Sequence, residues 1–367
     1  MMNIPFDPGL PIQKLSGVFN NTTNSYKFYW FLAILNKVKK SNKSSFKIDD
    51  LVIEMIGEIW YPINYFKLNF GKSDQFSNGI TQLKSEFNIE SNIDKKVLFK
   101  ILQSNKEKPI VKQLLNNFSR YVPFRFLTPW FEKELRGIPD HQKKTIISES
   151  SMASPFHPPN YCPYAIAEGT ITLHPQWRSY FYVHLSILQK FVFWGLVTYL
   201  QKNNPNVPGL TEKIFPPMLR KLTNANFFWK EVAKVDGDLF CIYSNKEMSL
   251  ENFSIDHFIP WSFVTHDQLW NLIPTTKSIN SSKGNNFPSL TDYLDPFVEI
   301  QHKAFKVFLE NNQNNKKLLY DYTTIFKKDL EGIARLNSEE FGEILKENIN
   351  PLYQIGENMG FSTDWKL

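Results

Sequence analysis

The most apolar stretch of the chain, residues 181–200, decides which class of protein this sequence can be. The run is long enough to span a bilayer, but it carries His184, Gln189 and Lys190 in its middle. A buried or amphipathic helix is expected there instead of a membrane span. The opening residues Met1-Met2-Asn3-Ile4-Pro5-Phe6 lack the basic start and long apolar run of a secretory signal. Two cysteines, Cys162 and Cys241, can build neither a disulfide framework nor a four-cysteine zinc site. The cores must therefore be made by apolar packing. With 42% apolar and 15% aromatic positions in 367 residues, the material is ample for two or three domains. Intrinsic disorder and collagen-like structure are excluded by the same composition. The reading is of a soluble, cytoplasmic protein with no membrane partner.

Charge is distributed unevenly. Residues 1–235 hold 30 Lys and Arg against 17 Asp and Glu, whereas residues 236–367 hold 12 against 19. Clusters such as Lys37, Lys39, Lys40, Lys43 and Lys106, Lys108, Lys112, Arg120, Arg125 supply much of the basic excess. Such a segment attracts polyanions, with a plain solvated lysine surface as the alternative.

Helix signals dominate the pattern. Asn24-Ser25 precedes the apolar run 26–35, which ends in lysines, as a capped and buried helix would. Asp49-Asp50 is expected to cap a helix over 51–60 that stops before Pro62. Residues 75–104 read as helix, loop, helix. Residues 114–131, with Pro123 and Pro129 among aromatics, read as irregular or partly strand, and as core more than as a base-stacking surface. The prolines crowded into 151–176 make that stretch a boundary candidate. A helix over 177–201 and a basic helix over 217–235 follow. Two short runs, 239–243 and 252–255, fit a hairpin, and residues beyond 290 are helical.

The chemically informative segment starts at Asp256-His257-Phe258-Ile259-Pro260. It continues through Trp270-Asn271 to Asn280-Ser281-Ser282-Lys283. Asp-His is followed after thirteen residues by Asn, after eight more by Asn, and after two more by Lys. Hydrolysing a phosphodiester needs a base for water, a divalent cation on the phosphate and neutralisation of the leaving oxygen. A strand-end histidine, an adjacent carboxylate and an amide oxygen from a facing helix can supply the base and hold a hard cation.

These residues resemble the HNH (ββα-metal) nuclease family, over about residues 239–290, and within it the HNH domain of RNA-guided CRISPR effector nucleases. The resemblance implies Asp256 and Asn280 as metal ligands and His257 as general base. It implies Asn271 as the residue that pins the intervening loop and orients the histidine, and Lys283 as a nearby phosphate or transition-state contact. The implied ion is Mg²⁺, with Mn²⁺ as a substitute. Many relatives hold a structural zinc with paired cysteines; here the position reads Cys241-Ile242-Tyr243-Ser244 with no second pair, so no structural zinc is expected. His157, Cys162 and His174 match no common zinc spacing, and His266 and Asp267 read as loop hydrogen-bonding or helix-capping residues, with substrate contact as the alternative.

The expected fold is α+β and mainly helical. A basic helical domain over 1–235 binds nucleic acid or receives a signal, a ββα-metal module over 236–290 cuts, and a helical segment over 291–367 packs on them. The expected function is a Mg²⁺-dependent endonuclease acting on DNA, with RNA left open. A bacterial restriction or antiviral defence effector is the expected setting, with a defence partner protein or a homodimer conceivable. The alternative is a nucleic-acid-binding adaptor whose HNH module is silent or gated by a partner.

Overall fold

The structure, a computed structural model, describes residues 4–20, 22–153, 162–216, 220, 222–237, 239–249 and 252–367. The chain forms two compact units, Met1–Pro205 with Lys213–Pro216, and Asn206–Glu212 with Pro217–Leu367. Both are mainly helical with small sheets, an α+β architecture.

In the first unit the helix Tyr26–Lys40 is apolar nearly all round and buried from Phe28 to Leu35, so it sits at the centre. The helices Ile48–Asn64 and Leu185–Asn203 pack against it. Ser25 does not cap it: the hydroxyl donates to Asp74 at 2.6 Å, and the Ser25 N–H donates to the same carboxylate at 2.9 Å. The next helix does not stop before Pro62 but runs Ile48–Asn64. A proline in the last turn gives up a single backbone hydrogen bond, and the chain exits through Phe66 N–H to Tyr61 C=O at 3.0 Å. Residues 114–131 are helical, not irregular, in Pro109–Ser119, Val122–Arg125 and Thr128–Trp130. Their prolines fall in first turns, where no N–H is needed. Phe126, Leu127, Trp130 and Phe131 are buried, so most of that aromatic run is core.

Residues 151–176 are not a boundary in the described part. The strands Tyr164–Ala167 and Thr170–Leu173 pair antiparallel, and the second also pairs with Ser45–Lys47, inside the first unit. The expected helix over 177–201 is two helices, Pro175–Val183 and Leu185–Asn203, bent by 81°. Among the described residues no single helix is long and apolar enough to cross a membrane.

In the second unit the helix Thr223–Asp236, which sequence reading placed with the amino-terminal domain, packs on Leu290–Asn311 instead. Phe228, Trp229 and Val232 on it join the same core as Phe258, Leu272 and Phe297. The units therefore divide near 205–217 and not at 235, because burying this apolar helix face outweighs the turn signal at Asp236-Gly237. Residues 291–367 belong to the same core as the module. Phe297 stacks on Phe258 at 4.0 Å, and Trp365 N–H reaches Phe287 C=O at 2.9 Å.

Strand pairing differs from the hairpin expected. Leu239–Cys241 turns back at once onto Lys246–Met248, with Asn245 in the left-handed region (φ 53°), a conformation asparagine tolerates. Ser254–His257 pairs instead with Leu272–Thr275, in the register Asp256 opposite Ile273 and His257 opposite Leu272. The helix Lys277–Lys283 follows, capped by the Thr276 hydroxyl.

Candidate functional site

The strand Ser254–His257 ends on the two residues with the most chemistry, and its partner strand holds that end in place. Phe258 N–H donates to Asn271 C=O at 2.9 Å. The Asn271 side chain then closes the intervening loop: its Nδ2 donates to Ile259 C=O at 2.9 Å, and its Oδ1 accepts from Ile259 N–H at 2.8 Å. Asn271 is wholly buried. In Asn271→Ala both backbone groups of Ile259 lose their partners out of water, an expected loss of about 2–4 kcal/mol. Urea unfolding would show it; a variant as stable as the parent would mean the loop does not depend on this amide.

Strand alternation sends Asp256 and His257 to opposite sides. Asp256, 3% exposed, accepts from the Tyr243 hydroxyl at 2.7 Å and lies 3.1 Å from Lys283 Nζ. Lys283, with no exposed area, also donates to His257 C=O at 2.6 Å. The expectation that Lys283 contacts a phosphate is therefore corrected: its ammonium is turned inward as the counter-ion of Asp256. Burial pushes the lysine pKa down, and the Asp256 carboxylate opposes that shift. Burial pushes the Tyr243 phenol well up, with Asp256 adding to the shift, so it stays a donor.

On the other side the imidazole of His257 is 2.8 Å through Nε2 from Asp267 Oδ1, and 3.5 Å through Nδ1 from Arg220 Nη1. Burial of Asp267 would raise its pKa, but the hydrogen bond and charge of His257, with Arg220 and His266, more than offset this and hold it low. An ionised Asp267 fixes the proton on Nε2 and leaves the lone pair on Nδ1. Burial, followed by the charge of Arg220, lowers the His257 pKa below 6.5 even though Asp267 pulls the other way. At neutral pH the ring is a free base with one defined acceptor nitrogen. Arg220 is itself placed by the Trp261 ring, 5.0 Å from its guanidinium carbon.

Asn280 reaches the strand from the facing helix. Its Nδ2 donates to Ser254 Oγ at 2.9 Å and to Ile255 C=O at 3.1 Å, which leaves Oδ1 as its acceptor atom. Among the described residues no three His, Cys, Asp or Glu side chains converge. The available donors are the Asp256 carboxylate, which keeps lone pairs beyond those facing Tyr243 and Lys283, and Asn280 Oδ1. One carboxylate and one amide oxygen are donors of the kind a hard divalent cation takes, with water and phosphate oxygens to complete its shell.

Sequence reading missed two residues of this cluster, Tyr243 and Arg220, to which no spacing rule points; Asp267 reads there as a loop hydrogen-bonding residue, and its partner is His257. Cys241 lies in the core, its sulfur 3.2 Å from Thr275 Oγ1. Cys162 is buried, and His174 caps a helix by accepting from Gln176 N–H at 3.2 Å; His157 lies outside the described residues. His302, read from sequence as solvent-facing, is half-buried, 3.3 Å from Leu336 C=O.

No curated protein and no solved structure gives a significant match to the chain. Residues 241–289, the segment that carries Asp256, His257, Asn271, Asn280 and Lys283, do match the family model of the HNH endonucleases.

Proposed function

We propose that the chain is a metal-dependent endonuclease that hydrolyses DNA, with RNA as a second substrate class to be tested. The observation that carries this reading is the Asp267–His257 pair, on the strand end that also bears Asp256, inside the segment that matches the HNH family. His257 Nδ1 takes the proton of the attacking water. Asp267 keeps the imidazole in the required tautomer and balances the charge that forms on it. Asn271 holds the strand end, and Lys283 fixes Asp256 and the His257 carbonyl from beneath. Arg220, and not Lys283, is the cation placed to meet a phosphate oxygen. Mg²⁺ held by Asp256 and Asn280, with Mn²⁺ as a substitute, supplies Lewis-acid stabilisation of the phosphate.

Affinity for the polyanion has to come largely from elsewhere. Residues 236–290 hold three Lys and six Asp and Glu, whereas the first unit holds 26 Lys and Arg against 15 Asp and Glu. Part of that excess is neutralised internally, since Lys40 and Lys95 pair with Glu54 and Lys106 pairs with Asp50. A cytoplasmic role in restriction or antiviral defence suits a chain that combines a basic unit with a cutting module. The adaptor reading keeps one supporting observation: His257 is only 5% exposed and both its nitrogens are covered, as in a module that opens when a partner docks.

The test is nicking of supercoiled plasmid and cutting of single-stranded DNA and RNA by the full chain, with Mg²⁺ or with EDTA, for the parent and Asn280→Ala. Cutting that needs Mg²⁺ and is weakened in Asn280→Ala supports the enzyme. No cutting of any substrate under any condition moves the assignment to the adaptor.

A further inference from the structure

The first unit holds a hollow whose chemistry the nuclease reading does not use. The helices Phe76–Glu86 and Pro109–Ser119 line a cavity of about 620 Å³, in the size range of small-molecule sites. Its floor is apolar, with Leu114 and Phe118 packed under Gly79. A methyl group at Gly79 would come within 3.0–3.1 Å of those two side chains, so the glycine lets the helices close beneath the hollow. Its walls carry amides at helical spacing, among them Gln82, Gln113 and Asn117. Its rim carries Arg120 and Arg125, whose guanidiniums lie 5.1 and 4.8 Å from the Tyr121 ring. Tyr121 is 43% exposed, the one part of the aromatic run 121–131 turned outward at the rim while Phe126 and Trp130 are core. Among the described residues no Asp or Glu lines the hollow, although Arg125 pairs outside it with Asp140 at 2.6 Å.

These features select one kind of ligand. Amide side chains offer a donor and an acceptor side by side, the pattern that pairs with the edge of a nucleobase. A tyrosine ring or an arginine plane accepts the face of a base, and guanidiniums bind phosphate in a bidentate fork. We propose that this hollow binds a nucleoside phosphate, its base among Gln82, Gln113 and Asn117 and against Tyr121, its phosphate between Arg120 and Arg125. The same moiety can come from a nucleic-acid strand or from a free nucleotide. A second hollow of about 800 Å³ shares Asn117 and Arg120 and adds Lys47 and Lys144, together with Asp49 and Glu168. That continuation favours a strand, whose next phosphates would follow the lysines. The proposal stands apart from the chemistry of His257, because it concerns binding by the other unit.

The experiment is fluorescence anisotropy of the full chain in EDTA with a labelled short single-stranded oligodeoxynucleotide, and competition by ATP, GTP and dCMP. Tyr121→Ala and Arg120→Gln change exposed residues, and thermal unfolding checks that both remain folded. Each is expected to weaken binding about five- to a hundredfold. If the variants lose the oligonucleotide and the mononucleotides do not compete, the ligand is a strand. If mononucleotides compete on the parent and not on the variants, it is a free nucleotide. Parental affinity in both variants, or no binding of either probe by the parent, overturns the proposal.

Discussion

His257→Ala is expected to lower the single-turnover nicking rate about 10²–10⁴-fold, the usual contribution of a positioned general base. The expectation rests on the ring having one acceptor nitrogen with a defined orientation, Nδ1, which lies 3.5 Å from Arg220 Nη1. Nε2 is 2.8 Å from an Asp267 carboxylate that stays ionised, so Nδ1 is the only lone pair the imidazole can offer. Burial keeps the ring neutral at pH 7, ready to take a proton. Asp267→Asn gives an internal control. It keeps the size of the side chain but removes the charge that balances an imidazolium, so cleavage should fall by about tenfold or more with folding unchanged. Rapid-quench measurement on a nicked-plasmid or oligonucleotide substrate separates these rates from product release. A His257→Ala protein that cuts within a few-fold of the parent, while still needing Mg²⁺, would place the base on another residue.

Lys283→Met should destabilise the second unit by about 3–5 kcal/mol, a large share of the stability of a typical domain. Methionine keeps the length of the side chain and fills the same space, so the change removes charge more than volume. The Asp256 carboxylate would then be buried with the Tyr243 hydroxyl as its remaining partner at 2.7 Å, and the His257 carbonyl would lose its donor. The double variant Asp256→Asn/Lys283→Met tests the cause. Once the carboxylate is neutral, most of the lost stability should return, even though a proposed metal ligand has been removed. Urea unfolding of the three proteins gives the answer. Equal stability of Lys283→Met and the parent would mean that water or a rearranged side chain already compensates Asp256.

The candidate site was legible because its parts are close in the chain. Asp256, His257, Asn271, Asn280 and Lys283 span fewer than thirty residues, and one strand pair with one short helix brings them together whatever surrounds them. The helices were legible for a similar reason, since the run 26–35 is a continuous apolar stretch of helical length ending in lysines and 75–104 alternates apolar and polar residues, signals that any packing would use. Local signals failed where a neighbour decided the outcome. Ser25 turned to Asp74, and Pro62 was absorbed in a last turn. Ser254–His257 found its partner across the loop that Asn271 closes, not in the strand before it.

What the order of residues determined by itself is the identity of the candidate site residues and the helical character of both units, because periodicity and short-range spacing are properties of the chain alone. Only the tertiary structure decided that Lys283 is a buried counter-ion and that Arg220 and Asp267 flank the imidazole. It alone placed the helix Thr223–Asp236 with the segment that matches the HNH family. Each of these depends on which charges and apolar faces lose contact with water together, and residues far apart in the chain settle that jointly.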